Sequence, residues 1–232
     1  MKKRMIYLLL AICVLATIVG CGKKKQQEPE PEPVQEAEEP EPEPKPEPEP
    51  EPVDTHEGMA KSYLTGEWID EELAKKRPLA VMIGNTSDAL PQYGISSADV
   101  IYEVPVEGSY TRLMAIFQDY SGLEKIGSVR SCRTYYTYFA REFDAVYVHF
   151  GQSTFAKPYL KNVDHINGLD AIGDLAFYRT KDKKSPHNAY TSGDRITASI
   201  EKLGYTPSYA PSYKGHYLFA RDGREASLTE RP

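Results

Sequence analysis

The sequence predicts a mixed α/β domain, a mixed β-sheet with packed helices, carried behind a leader peptide and an extended stalk. Three observations predict it. Residues 77–204 interleave short apolar or alternating runs with stretches of helical period, as strands and helices sharing one sheet do. The 25 residues Glu28–Pro52 hold 10 of the 18 prolines and 11 glutamates, with Lys45 as their one basic residue. The chain opens with a basic cluster and an uncharged apolar run that leads to a cysteine, Cys21.

The leader comes first. Lys2-Lys3-Arg4 forms a positive start, Met5–Val19 is a 15-residue stretch without charge, and Ile18-Val19-Gly20 precede Cys21. Residues 1–20 resemble a bacterial lipoprotein signal peptide, in which Cys21 receives diacylglycerol and becomes the first mature residue. The apolar run is short for a ~30 Å hydrocarbon core, and an uncleaved anchor would leave the domain on the same side. The expected location is the extracytoplasmic face of the cell membrane, with the membrane a partner through the lipid on Cys21. Cys13 leaves with the leader and Cys21 carries lipid, so Cys132 alone remains and no internal disulfide is expected.

Residues 21–52 form the stalk. Alternating Pro and Glu favours extended polyproline II, like charges resist collapse, and little apolar surface is present to offset chain ordering. At ~3.1 Å per residue the segment spans up to about 100 Å. The leader carries +3 and residues 21–52 carry −7, leaving −2 on the remainder. A nearly neutral domain argues against nucleic acid, which needs a basic face to release counterions.

Residues 53–76 are a lead-in, and the strands begin beyond them. Leu79–Ile83 is a short apolar run between Pro78 and Gly84-Asn85 and reads as a buried strand. Asp99–Val106 alternates, with Val100, Tyr102, Val104 and Val106 on one face and Pro105 suggesting a sheet edge. Tyr110–Gln118 alternates as well, with Leu113, Ala115 and Phe117 opposite Arg112, Met114 and Ile116. Gly108 lies between the two runs, so they form a hairpin. Tyr135, Tyr138 and Phe139 recur at helical spacing within Arg133–Phe143, Ala145–Phe150 is a strand, Thr154–Lys161 a helix and Leu175–Arg179 a strand. Ser192 caps a helix with Ile196, Ile200 and Leu203 in one apolar stripe and Gly204 as its stop.

The richest chemistry lies in Gly127-Ser-Val-Arg-Ser-Cys-Arg133. A glycine turn opening onto a helix presents free N–H groups, with Ser131 as the expected cap and Arg130 and Arg133 beside it, which outlines an anion site. Arginine forks suit phosphate or carboxylate, and Arg112, facing away from Leu113, could join them. Pairing of these arginines with Asp99, Glu103 or Glu142 is the structural alternative. His149 ends a strand before Gly151 and His187 lies in Ser185-Pro-His-Asn188, so both are candidates for acid/base work on a phosphoester. H-E-x-x-H, G-x-S-x-G and phosphate-loop motifs are lacking, His165 and His216 lack metal-ligand spacing, and no metal or cofactor is implied. A helix start and two arginines would activate the Cys132 thiol, although a small buried residue explains it as well. Sixteen tyrosines follow the leader, including Tyr205, Tyr209, Tyr213 and Tyr217, suited either to contact area for glycans or proteins or to lining strand edges.

Pro78–Asn85, Ala98–Glu103, Glu107-Gly108 with Thr111-Arg112, Ile126–Arg133, Phe143–His149 and Ser185–Asn188 together resemble the YerB-like lipoproteins, Gram-positive envelope proteins whose domain has no established biochemical function. The resemblance runs from about Arg77 to Gly204. Ser128 stands where that family usually has proline and Cys132 where it usually has alanine, which weighs against a catalytic thiol. The resemblance implies a mixed α/β fold over residues 77–204 and a surface location. It also implies a further strand-rich C-terminal part, so residues 205–232 are expected to be the start of a truncated unit short of packing partners. The reading as a whole is a lipid-anchored module that binds an envelope component, either a wall polymer or an envelope protein. The rival is an enzyme acting on phosphorylated wall precursors or anionic polymers, with Arg112, Arg130 and Arg133 holding phosphate and His149 or His187 moving a proton.

Overall fold

The computed structural model describes residues 56–220. The leader, Cys21, the Pro/Glu stalk and residues 221–232 lie outside the described residues. The lead-in forms a small antiparallel pair, β1 (Met59–Lys61) and β2 (Trp68–Asp70), followed by α1 (Glu71–Lys75). The Asp70 side chain caps α1 by accepting from the backbone N–H of Glu72 and Leu73, as a short acidic residue at an N-cap does.

The main sheet has five strands in the order β4-β5-β3-β7-β8. Its centre is β3 (Leu79–Gly84), antiparallel to β5 (Thr111–Phe117) and parallel to β7 (Val146–His149), which is parallel to β8 (His165–Asn167). Every residue of β3 is buried, which a continuous apolar run requires when helices cover both faces. Leu79, Val81 and Ile83 enter one core layer with Leu113, Ala115, Phe117, Ile196 and Ile200. Ala80 and Met82 enter the other with Met114, Ile116, Tyr136 and Ala140. The alternation predicted for the hairpin is present: Leu113, Ala115 and Phe117 face one layer, Met114 and Ile116 the other. Strand β4 (Val100–Pro105) is the edge, its Val100, Tyr102 and Val104 half-buried and Ile101 and Glu103 outside, and Pro105 ends it.

Helices α2 (Thr134–Glu142) and α5 (Gly193–Leu203) carry the two layers. Two short helices, α3 (Lys157–Leu160) and α4 (Gly173–Ala176), fall between them in the chain, and β6 (Ile126–Gly127), β9 (Tyr178–Arg179) and β10 (Ala189–Thr191) form a separate three-stranded antiparallel sheet in the order β6-β10-β9. Ser192 accepts from Arg195 N–H at 3.3 Å and caps α5, and Gly204 ends it at φ 69°.

Four local expectations are corrected. The cap residue of α2 is Arg133 and not Ser131, and it makes no side-chain cap bond. Ser131 Oγ instead donates to the Phe150 carbonyl at 3.0 Å. Leu175 belongs to the short helix α4, leaving only Tyr178–Arg179 as a strand. Leu203 is 38% exposed, so the stripe of α5 consists of Ile196 and Ile200. Residues after Gly204 have packing partners: Ser208 bridges to Lys76, Tyr209 N–H donates to the Lys75 carbonyl, Tyr209 Oη bonds Gln118 and Tyr213 Oη donates to the Glu142 carbonyl. Tyr63, Tyr209 and Tyr213 form one ring cluster, the last two stacked at 4.8 Å between centroids.

Candidate functional site

The carboxyl ends of β3 and β7 point the same way, and the outside of such ends is where open α/β sheets bind ligands. At the end of β3 stands Gly84, and the register puts Arg112, near the start of β5, directly opposite it. The segment after β6 runs back against this edge: Gly84 N–H donates to the Ser128 carbonyl at 3.0 Å and Arg130 N–H to the Met82 carbonyl at 2.9 Å. A Cβ on Gly84 would stand 2.9 Å from Ala89 Cβ and 3.2 Å from Arg130 Cγ. Glycine there lets the arginine stem lie against the strand. The β9–β10 loop closes the other side, pinned by Lys183 Nζ donating to the carbonyls of Ala89 and Leu90 at 2.8 and 2.6 Å.

The result is an open cleft of about 250 Å³ whose lining includes Thr86, Asp88, Tyr110, Arg112, Arg130 and His187. Among the described residues neither Arg112 nor Arg130 forms an ion pair. Arg112 Nη1 donates to the Ser131 carbonyl. Burial, and then the charges of Arg133 and Arg130, lower the Arg112 pKa to about 10, while burial and then the charge of Arg133 lower that of Arg130. Both stay charged at neutral pH. Thr86 Oγ1 is buried without a hydrogen-bond partner. Asn85 belongs to a polar network beside the cleft, donating to Glu103 at 2.9 Å and Thr111 at 2.7 Å and accepting from Gln92 at 3.0 Å.

Arg133 is placed differently. It forms a fork on Glu107, with Nε at 2.6 and 2.8 Å and Nη2 at 2.7 Å from the carboxylate, and Arg133 holds the Glu107 pKa down at about 2. A carboxylate pairing was the structural alternative for all three arginines. It applies to this one, with a hairpin-loop residue as partner and not Asp99, Glu103 or Glu142.

The two candidate histidines are separated. His187 lines the cleft, and Arg130 Nη1 lies 3.0 Å from its Nδ1. Since the guanidinium can only donate, Nδ1 must accept and the ring is neutral with its proton on Nε2. Burial first, then the charge of Arg130, lowers its pKa. His149 is fully buried. Its Nδ1 lies 2.8 Å from the Gly151 carbonyl and its Nε2 3.1 Å from His165 Nδ1. The carbonyl requires Nδ1–H on His149, so Nε2 accepts from His165. A second proton on Nε2 would oppose the His165 N–H. Burial depresses the His149 pKa to about 3, with His165 a lesser cause.

This pair carries a pH prediction. A histidine with a folded pKa near 3 and an unfolded value of about 6.5 binds its proton preferentially in the unfolded chain. Stability is therefore full above pH 6.5 and falls with acid toward pH 3, by up to about 1.4 kcal/mol per pH unit for this one group. Denaturant melts between pH 6.5 and 5, where carboxylates contribute least, are expected to show that slope. His149→Asn should lose one proton's worth of it, whatever its stability at pH 7. An unchanged slope would show that His149 is not held neutral.

Of the two readings of Cys132, the small buried residue holds and the activated thiol does not. The residue is fully buried, and burial raises its thiol pKa to about 11 despite the nearby arginines. A thiolate is not available there at neutral pH. Asn85, Thr86, Asp88, Glu107 and Tyr110 joined the site without being singled out as site residues from the sequence. The signals were Gly84-Asn85 closing a buried strand and Glu107-Gly108 between two alternating runs. Among the described residues no group of three His, Cys, Asp or Glu is placed to hold a metal, and no helix is long and apolar enough to cross a membrane.

Comparison with known proteins matches residues 64–206 to the family described as "Protein of unknown function (DUF3048) N-terminal domain". The chain is 42% identical over 147 residues to a Bacillus subtilis (strain 168) protein described as "Putative lipoprotein YerB", covering 62% of this chain and 44% of that one. A crystal structure of YerB protein from Bacillus subtilis superposes with a TM-score of 0.60 at 41% identity, covering 64% of this chain and 51% of that one. The chain thus spans about half the length of these relatives. The mixed fold, the matched span and the identity to YerB agree: the chain belongs to the DUF3048 N-terminal domain family and is similar to YerB of Bacillus subtilis.

Proposed function

We propose that the protein is a membrane-anchored extracytoplasmic lipoprotein that binds an anionic component of the cell envelope, carried by a wall polymer or a membrane protein partner, in the cleft of Arg112 and Arg130. The observation that carries this reading is the pair of half-buried guanidiniums, neither of which is held in an ion pair with a carboxylate among the described residues. Two like charges drawn partly out of water repel each other, and an anion between them would offset both the repulsion and the lost hydration. The buried, unpartnered Thr86 hydroxyl is a further group for such an anion to engage. The competing enzyme reading keeps only His187 at the cleft, and Arg130 occupies the ring nitrogen that would accept a proton. Binding requires no displacement of that contact.

Thermal melts at constant ionic strength test the proposal. Inorganic phosphate should raise the stability of the wild-type protein according to RT ln(1 + [L]/Kd), about 2.7 kcal/mol at a hundredfold excess over Kd. The double variant Arg112→Ala/Arg130→Ala should lose that gain while Arg133→Ala/Glu107→Gln, which removes an arginine together with the carboxylate it neutralises, keeps most of it. A wild-type protein indifferent to phosphate, or a double variant that still responds, would remove this reading.

A further inference from the structure

The central cleft does not stand alone. Asp88 and His187 also line a neighbouring hollow of about 410 Å³ completed by Lys183, Lys184, Ser185 and Pro186. On the opposite side, Val106 and Glu107 also line a second hollow of about 410 Å³, which includes Arg133, Tyr135 and Phe155. Each depression shares lining residues with the next, so the three adjoin and are taken together as one groove. Its chemistry changes along its length: exposed Lys184 at one end, the Arg112–Arg130 pair in the middle, and aromatic rings at the other end. Phe155 is 82% exposed.

We propose that this groove binds an acidic glycan chain, with anionic groups on Lys184 and the Arg112–Arg130 pair and a sugar ring on Phe155 and Tyr135. The inference deepens the anion-binding reading and rests on it. A free anion would be satisfied by the central cleft alone and has no use for the aromatic end. A pyranose presents a flat C–H face that lies against an aromatic ring while its hydroxyls remain in water, and the ring's electron-rich face favours that contact. Phe155 offers such a face to solvent, beside the polar side chains of Ser153 and Thr134 on the same wall. The two carboxylates along the groove do not repel such a chain equally. Glu107 is neutralised by its fork with Arg133, whereas Asp88 sits at the join between the central cleft and the lysine hollow, whose lining also includes Lys183 and Lys184. Charge complementarity at one end and ring stacking at the other make one extended ligand fit better than several small ones.

Calorimetric titration of the full-length mature protein at constant ionic strength tests this with three probes: inorganic phosphate, a heparin-derived disaccharide and a heparin-derived hexasaccharide. The hexasaccharide is expected to bind at least about tenfold more tightly than phosphate. Phe155→Ala changes no charge and removes a side chain that lies mostly in water, so it should fold normally. It is expected to weaken the hexasaccharide about tenfold and leave phosphate unchanged. Lys184→Ala should likewise weaken the hexasaccharide more than phosphate. If hexasaccharide affinity is indifferent to Phe155→Ala while phosphate still binds, the groove inference is overturned and the anion reading stands. If neither phosphate nor either oligosaccharide binds, the anion reading fails and takes this inference with it.

Discussion

Cys21→Ser is expected to abolish membrane attachment and release the protein into the medium, or to leave an unprocessed precursor. Burial of acyl chain contributes about 0.8 kcal/mol per CH₂ group, and two chains on one residue hold a protein at a bilayer where a single short chain does not. The serine hydroxyl cannot replace the thiol as acceptor of the diacylglycerol. Among the described residues no helix can cross a membrane, and the Pro/Glu-rich sequence of residues 21–52 has little apolar surface to insert. On the lipoprotein reading the anchor is carried by the sulfur of Cys21, so its removal should act as all or none. Metabolic labelling with a fatty-acid analogue, followed by separation of membranes from medium, reads the outcome. Label incorporated at the wild-type level in Cys21→Ser would show that the lipid sits elsewhere.

Much of the sheet was legible because burial on both faces leaves a direct mark on sequence. Leu79–Ile83 reads as a buried strand since each alternate side chain enters a different core layer, and the Tyr110–Gln118 alternation separates the same layers. The α5 boundaries were legible for a local reason: a serine cap and a glycine stop act within one turn. Leu175–Phe177 was misread because an apolar run that short has no period to distinguish a helical turn from a strand. The α2 start was misplaced because Ser131 and Arg133 differ by two residues, and the Phe150 carbonyl, distant in sequence, competes for the serine hydroxyl.

The site was legible in its residue types and not in its pairings. Arg112 and Arg130 stand out in the sequence by residue type, and they meet at one sheet end because β5 opens opposite the last residue of β3 and the Arg130 backbone bonds to Met82 of the same strand. Which arginine is neutralised depended on where the hairpin loop turns. That turn carries Glu107 to Arg133, and none of Asp99, Glu103 and Glu142 takes its place. The two histidines looked alike in sequence, and burial alone separates them: one closes a strand inside the core, while the other rides on a loop pinned by Lys183. The packing of residues 205–219 left almost no sequence signal, since it consists of backbone carbonyls and tyrosine hydroxyls meeting partners far away in the chain.

Arg77→Ala is expected to cost about 3 kcal/mol, the largest loss of stability from a single side chain outside the apolar core. Arg77 stands just before β3, with its side chain only 8% exposed. Its Nε donates to the Asp144 carbonyl at 2.7 Å and its Nη1 to Asp164 Oδ2 at 2.7 Å and to the Thr206 carbonyl at 3.2 Å. One guanidinium thus ties the entrance of the central strand to the turn after α2, the segment before β8 and the chain beyond α5. Removing one partner of a buried pair costs about 3–5 kcal/mol. The lower end applies because the Asp164 side chain is 43% exposed and regains water when the arginine is gone. For a domain of this size the loss corresponds to a Tm lower by about 6–12 °C. Arg77→Lys should recover only part of it, because an ammonium cannot reproduce the fork. Truncation after Gly204 removes the Thr206 carbonyl together with the contacts of Tyr209 and Tyr213, and should lower Tm on its own. In that shortened chain Arg77→Ala has less left to break, so the two changes should combine to less than their sum by about 0.5–3 kcal/mol. Strictly additive losses would show that Arg77 does not hold the C-terminal segment to the sheet.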